Sequence, residues 1–280
     1  MLALAGSVAA AATPTGSVEH GAYLAAAAGC DQCHTDAQSH GRPYAGGRTL
    51  ETPFGTIVTP NITPDPDTGI GRWRFADFER ALRWGIAPDD SHYLPVFPFP
   101  FYNRLTAADL DDLAAFLKTV APVRQVNRGG RSGLFAAMRG AVAIVASRFP
   151  GAWRPDPAKD AVLNRGAYLV AGIGRCGDCH TPRDWLGAPD SARALSGAPA
   201  GGGRKAVPNI TPDQKAGIGR WSDADIETLL KDGMTPDSDF VGGAMAEEVR
   251  NTTRLSDVDR HAIAVYLRTV PAVGGREEKR

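Results

Sequence analysis

A pentapeptide of the form Cys-x-x-Cys-His occurs twice in this sequence, and no other feature constrains the fold as strongly. The copies occupy residues 30–34 and 176–180, and together they contain all four cysteines of the chain. This pentapeptide is the attachment signal for c-type haem, in which two thiols bond to the porphyrin and the histidine supplies an imidazole to the iron. A chain with two such signals has to fold around two large, flat cofactors.

Two other interpretations of paired cysteines fit less well. A zinc site needs four ligands in one cluster, whereas these three-ligand groups lie in opposite halves of the chain. A thioredoxin-like redox pair requires neither a histidine after the second cysteine nor a second copy. We therefore predict two covalently bound haem c groups. The predicted attachment residues and proximal iron ligands are Cys30, Cys33, Cys176, Cys179, His34 and His180.

The repeat extends well beyond the two pentapeptides. Three further segments recur in the same order: Gly-Ala-Tyr-Leu at 21–24 and 166–169, Pro-Asn-Ile-Thr-Pro-Asp at 60–65 and 208–213, and Gly-Ile-Gly-Arg-Trp at 69–73 and 217–221. Each copy closes with an amphipathic helix, predicted over 106–120 and 256–270. In both helices a Thr or Ser N-cap is followed three residues later by Asp, a variant of the capping box.

The repeat also predicts the fold class. No window shows sustained period-two alternation, so a sheet is not expected. Units of about 100 residues have little room for a conventional core, and a buried porphyrin fills that gap. The prediction is an all-α protein with two tandem class I cytochrome c-like domains and long haem-packing loops. The N-terminal domain covers residues 17–124 and the C-terminal domain covers 161–272.

Two segments lie outside the predicted domains. Residues 1–12 are apolar and end in an Ala-x-Ala pattern, which predicts a secretory signal segment. Its basic part is missing, either because the segment is truncated or because the start codon is misplaced; a frayed helix is the alternative. Residues 125–160 form a basic linker with helical apolar spacing. It either straps the domains together or contacts anionic lipid or an acidic partner. No other window reaches the roughly 18 apolar residues of a membrane span, so we expect a periplasmic protein.

The second copy has a methionine where a sixth iron ligand is expected. When Asn61 is aligned with Asn209, Phe97 aligns with Met245 without a gap. Met245 lies in a glycine-rich loop before the terminal helix. A thioether in this loop can reach the distal face of the second haem. Met234 is the competitor, but its position suits apolar packing. We therefore predict Met245 as the distal ligand, the alternative being a core methionine.

The first copy has no methionine in its equivalent loop, and Phe97 cannot bind iron. Three outcomes remain open: His92 in the same loop binds the first iron, His40 does so, or the site is open. An imidazole stabilises ferrous iron less than a thioether does, so His92 would give the first haem the lower potential. Electrons would then run from the N-terminal to the C-terminal domain. An open site could instead bind a small molecule and do chemistry.

Taken together and in register, the repeated segments resemble the multihaem cytochrome c subunits of bacterial membrane-associated alcohol and aldehyde dehydrogenases, over about residues 17–270. The resemblance implies His34 and His180 as proximal ligands and Met245 as a distal ligand. It also implies that electrons pass from a catalytic dehydrogenase to quinone or another cytochrome. This sequence departs from the pattern in having two haem motifs rather than three, no C-terminal membrane anchor, and Phe97 at the usual methionine position. The first two departures favour a shorter, soluble carrier over quinone reduction.

The sequence thus predicts a periplasmic dihaem electron carrier. The expected donor is a periplasmic or membrane-associated dehydrogenase, and the expected acceptor is a downstream cytochrome or oxidase. The formal net charge is zero and there is no basic-aromatic cluster, so nucleic acid is not an expected partner. The alternative is a haem enzyme whose open first site acts on peroxide or an inorganic sulfur compound. A third hypothesis is a subunit that assembles a complex through its basic linker.

Overall fold

The computed structural model describes residues 15–52, 55–94, 96–127, 151–184, 188–200 and 205–274. The predicted signal segment, 1–12, and residues 128–150 of the predicted linker lie outside these ranges. Within them the chain is mostly helical, with ten α-helices and a small antiparallel hairpin. None of the described helices combines the length and the apolar character needed to cross a bilayer.

The same five helices follow one another in each repeat. The first repeat, residues 17–124, contains α1 (Val18–Ala27), α2 (Cys30–Cys33), α3 (Phe75–Trp84), α4 (Phe99–Tyr102) and α5 (Ala107–Thr119). The second repeat, residues 161–272, contains α6 (Ala161–Ala171), α7 (Cys176–His180), α8 (Asp223–Asp232), α9 (Gly243–Thr252) and α10 (Asp257–Leu267). The haem motifs therefore lie on α2 and α7, directly after the first helix of each repeat.

A two-stranded hairpin corrects the prediction that no sheet would form. Strand β1 (Thr49–Thr52) pairs antiparallel with β2 (Gly55–Val58), with Thr49 opposite Val58 and Thr52 opposite Gly55. Strands of four residues are too short for a period-two pattern to be recognised in the sequence. The corresponding part of the second repeat has a single described bridge, between Ala198 and Val207.

In each repeat the first helix crosses the terminal helix at a glycine. A Cβ added to Gly21 would lie 1.9 Å from the carbonyl oxygen of Asp112, and one added to Gly166 would lie 1.9 Å from that of Ala262. No side chain fits at such a distance, so glycine is required at both crossings. This close approach explains the glycine of the repeated Gly-Ala-Tyr-Leu segment.

The terminal helices begin as predicted and end earlier, at Thr119 and Leu267. The hydroxyl groups of the N-caps Thr106 and Ser256 accept hydrogen bonds from the N–H groups of Asp109 and Asp259, both at 3.1 Å. The predicted apolar stripes are buried in the core, apart from the partly buried Tyr266: Leu110, Leu113, Ala114 and Leu117 in α5, and Ala262, Ile263 and Leu267 in α10.

One of the contacts between the two repeats is made twice, by equivalent residues in each direction. Tyr23 donates its hydroxyl hydrogen to the carboxylate of Asp259, and Tyr168 donates to the carboxylate of Asp109. Each hydroxyl also accepts from the N–H of the opposite N-cap residue, at 3.2 and 3.3 Å. Equivalent contacts made in both directions indicate a local twofold arrangement of the repeats. The capping box predicted from sequence is therefore incomplete, because each aspartate binds a tyrosine of the other repeat.

Trp153, in the described part of the linker at 151–160, lies against both repeats. The N–H of Trp153 donates to the carbonyl oxygen of Arg104 at 2.9 Å, and the Arg104 guanidinium lies over the Trp153 ring, 5.8 Å from its centre. The same ring packs on Tyr168, with 5.9 Å between ring centres. Trp153 thus contacts both repeats, which supports the strap interpretation for this end of the linker.

Candidate haem-attachment sites

The histidine of each haem motif is held by a backbone carbonyl. His34 Nδ1 donates to the carbonyl oxygen of Pro60, and His180 Nδ1 donates to that of Pro208, both at 2.8 Å. This bond selects the tautomer whose Nε2 keeps a lone pair for a metal. Burial lowers the pKa of both imidazoles, which favours the neutral form that a metal ligand requires.

The two proline carbonyls belong to the repeated Pro-Asn-Ile-Thr-Pro-Asp segment, which is anchored by its buried asparagine. Asn61 Nδ2 donates to the carbonyl oxygen of Val123, and Asn209 Nδ2 donates to that of Val273, both at 2.7 Å. Both acceptors follow a terminal helix. The segment therefore fixes each motif histidine relative to the end of its own repeat.

The donor set of each motif fits a covalently attached haem. None of the four cysteines, all of which are described, takes part in a disulfide. Burial raises the pKa of the Cys30 and Cys176 thiols to about 12, so both remain un-ionised and pack as small apolar groups. Two thiols and an imidazole oriented through Nδ1 are the residues that c-type haem requires.

The loops before the last two helices have the same backbone register in both repeats. Ile86 pairs with His92 in the first repeat, and Met234 pairs with Phe240 in the second. This shared register supports the ungapped alignment of Phe97 with Met245. It also places Met234 at a bridge position opposite Phe240, with its side chain half-buried.

The structure places Met245 in the first turn of α9 rather than in the predicted loop. The helix begins at Gly243, and the Met245 side chain is half-buried. In the first repeat Pro98 and Pro100 restrict the backbone, and α4 is only one turn long. The second repeat has Ala, Met and Glu residues there, which favour a longer helix.

The equivalent loop of the first repeat is filled by aromatic rings. Phe97 packs edge-to-face on Tyr93 and Tyr102, with ring centres 5.6 and 5.8 Å apart. His92 is half-buried, and its Nδ1 has no hydrogen-bond partner among the described residues although the atom is buried. His40 is exposed and lies in a left-handed turn shortly after the first haem motif.

Three polar residues that sequence reasoning missed lie between the two haem motifs. Arg175, directly before Cys176, pairs with Glu248 at 2.8 Å. Asn251 Nδ2 donates to the same carboxylate at 3.0 Å. The Asn251 amide also packs over Gly29, because a Cβ added to Gly29 would lie only 2.5 Å from Asn251 Nδ2. The only sequence signal was a break in the repeat, since glycine precedes the first motif and arginine precedes the second.

Further contacts join the first haem motif to the second repeat. Gln32 Nε2 donates to the backbone carbonyl oxygen of Glu247 at 2.9 Å, and Arg48 pairs with the Glu247 carboxylate at 3.1 Å. Asp31 pairs with Arg254 at 2.9 Å. The helix that carries Met245 thus lies against the first haem motif.

Comparison with known proteins confirms the predicted resemblance. A family model for cytochrome c matches residues 18–121. A dihaem c-type cytochrome of Cereibacter sphaeroides is 43% identical over 265 residues, which cover 92% of this chain and 88% of that protein. Two dehydrogenase subunits are each 40% identical to this chain over 91% of its length. One is the cytochrome c subunit of the alcohol dehydrogenase (quinone) of Gluconacetobacter polyoxogenes, of which the match covers 56%. The other is the fructose dehydrogenase cytochrome subunit of Gluconobacter japonicus, of which it covers 53%. This chain therefore spans about half of each of those two subunits. By its motifs, its fold and these relatives, the chain belongs to the dihaem c-type cytochromes, whose cofactor is covalently bound haem c.

Proposed function

We propose that this protein is a periplasmic electron carrier with one haem c on each repeat. It would accept electrons from a dehydrogenase and pass them towards the respiratory chain. The observation that supports this function is the presence of two complete haem motifs in one chain, each with its histidine held through Nδ1 by a proline carbonyl. Residues 17–124 and 161–272 would each be a class I cytochrome c-like domain, joined by the linker at 125–160.

The chain's own residues attach and orient the cofactors. Haem supplies one-electron redox chemistry when bound. Thioether attachment is assigned to Cys30 and Cys33 for the first haem and to Cys176 and Cys179 for the second. His34 and His180 would be the proximal ligands through Nε2. The carbonyls of Pro60 and Pro208 hold these rings in place, so little rearrangement accompanies a change of iron oxidation state.

We infer Met245 as the distal ligand of the second iron and His92 as that of the first. The buried, unpartnered Nδ1 of His92 supports this assignment, because a buried polar nitrogen without a partner carries a cost that coordination through Nδ1 would relieve. A thioether stabilises ferrous iron more than an imidazole does. Electrons would therefore enter at the first repeat and leave from the second.

The relatives supply the class of the partner. Two of them are named as cytochrome subunits of an alcohol and a fructose dehydrogenase, and we propose a periplasmic or membrane-associated dehydrogenase as the electron donor. A downstream cytochrome or an oxidase would be the acceptor. The basic linker is the segment that would give any peripheral contact with a membrane.

The function is tested by reduction of the haem-loaded protein. We expect two haems per chain by pyridine haemochrome, and both are expected to be reduced in stopped-flow experiments by a quinone-dependent sugar or alcohol dehydrogenase with its substrate. Mixtures without substrate are the control. Oxidised haems in the complete mixture would contradict the carrier function.

A second function is favoured by one observation, the presence of Phe97 where the second repeat has methionine. If the first iron is open, the protein would be a haem enzyme that acts on peroxide or an inorganic sulfur compound. Turnover of such a substrate, without a dehydrogenase present, would support this alternative.

His92→Ala is expected to open the first site. In low-temperature EPR of the oxidised protein we expect two low-spin ferric signals, one of which becomes high-spin in the variant. His40→Ala is the control and should leave both signals unchanged. Two low-spin signals in His92→Ala would exclude His92 as a ligand, and a stoichiometric high-spin signal in the parent protein would show an open first site.

A further inference from the structure

The residue before each haem motif is uncharged in the first repeat and positively charged in the second. Gly29 in the first repeat and Arg175 in the second both have left-handed backbones, with φ of +66° and +46°. Glycine adopts this conformation freely, whereas a residue with a Cβ pays a backbone cost. An arginine at this position therefore needs a compensating interaction.

The compensation is an ion pair between the largely buried Arg175 side chain and the partly exposed Glu248. The Arg175 guanidinium binds Glu248 at 2.8 Å, and only 16% of the Arg175 side chain is exposed. Glu248 also accepts from Asn251, which covers Gly29 at the start of the first haem motif. This chain of contacts runs from α7, which carries the second motif, through α9 to the residue that precedes α2.

The pair lies beside the start of both motifs. Arg175 directly precedes Cys176 in the chain. Glu248 accepts a hydrogen bond from Asn251, whose amide packs over Gly29, the residue directly before Cys30. One cation and one anion thus lie next to groups that belong to different haem sites.

The same junction contains buried polar atoms with no hydrogen-bond partner in the described structure. They are Arg175 Nε, Asn251 Oδ1 and Asp31 Oδ1. Buried polar atoms without partners are rare, and each one costs free energy. A polar junction maintained at such a cost points to a role beyond packing.

We propose that Arg175 and Glu248 form a charge pair shared by the two haem sites, which sets their reduction potentials and holds the two haem motifs together. Arg175 is a positioning residue in this scheme. The inference rests on the proposed attachment of one haem to each motif. A buried positive charge disfavours ferric iron, which carries one more positive charge than ferrous iron, and so raises the potential; a buried negative charge lowers it.

The test compares charge-neutralising variants of the haem-loaded protein by spectroelectrochemical titration. Arg175→Gln is expected to shift the midpoint potentials downward, and Glu248→Gln is expected to shift them upward. Arg175→Lys keeps the charge and should stay near the parent values. Arg193→Gln is the matched control, because Arg193 forms a partly exposed ion pair with Asp190 in the same repeat, and its removal should leave both potentials unchanged.

The double variant Arg175→Gln/Glu248→Gln leaves no buried charge unpaired, and it remains informative if Arg175→Gln does not fold. Its potentials should lie close to those of the parent protein. Shifts in the same direction in both single variants, or no shift in either, would overturn the inference and indicate a packing role only. A parent protein that lacks two haems would instead contradict the proposed function itself, so the two failures are distinguishable.

Discussion

Alanine in place of Met245 is expected to convert the second ferric haem from low spin to high spin and to lower its potential. Met245 lies in the first turn of α9 with its side chain half-buried, and the shared loop register makes it the equivalent of Phe97 in the first repeat. Loss of the thioether removes the ligand that stabilises ferrous iron. Axial ligation spans about 0.8 V across haem proteins, so a fall on the order of 0.1 V is expected.

Low-temperature EPR and spectroelectrochemistry measure the two effects of Met245→Ala. Met234→Ala is the matched control, because this second methionine of the same repeat is held at a bridge position opposite Phe240. It should leave the spin state and the potential unchanged while costing some stability. A high-spin signal in Met234→Ala, with Met245→Ala still low-spin, would reverse the assignment of the distal ligand.

Asp259→Ala is expected to lower the free energy of unfolding by about 2–4 kcal/mol, because it leaves polar partners unpaired at the contact between the repeats. The carboxylate accepts two hydrogen bonds from Arg165, both at 2.7 Å, and a third from Tyr23. Asp257→Ala is the control. Asp257 is itself exposed, and its buried partner Arg260 keeps hydrogen bonds to backbone carbonyl oxygens, so the expected loss is below about 1 kcal/mol. Urea unfolding followed by circular dichroism measures both losses.

The same residue predicts a dependence of stability on pH. Burial acts to raise the pKa of Asp259, but the hydrogen bonds from Arg165 and Tyr23 outweigh it and hold the pKa below its usual value. Its contribution to stability is therefore complete above the unfolded pKa of about 3.9 and is lost as the pH falls through the lower folded value. Between pH 6 and pH 2, the free energy of unfolding should fall less in Asp259→Ala than in the parent protein. An equal fall in the two proteins would show that other groups cause the pH dependence of stability.

Much of the fold could be predicted because its signals are local. The N-caps Thr106 and Ser256 act over three residues, and the apolar stripe of α5 follows the helical period. The hairpin at 49–58 was missed because four-residue strands carry no readable period. The start of α9 was missed because glycine before Met245 suggested a loop, whereas the helix begins at the second of the two glycines.

The sequence by itself determined the haem motifs, their number, the terminal helix of each repeat and the residue that corresponds to Met245 in the first repeat. Each of these depends on residue types at short spacings or on comparison of one repeat with the other. Only the tertiary structure decided that Asp259 binds Tyr23, 236 residues away, and that Arg175 lies between the two motifs. Such contacts follow from the way two finished repeats pack against each other, and no short-range pattern encodes that geometry, because a buried polar residue takes whichever partner the packing brings within reach.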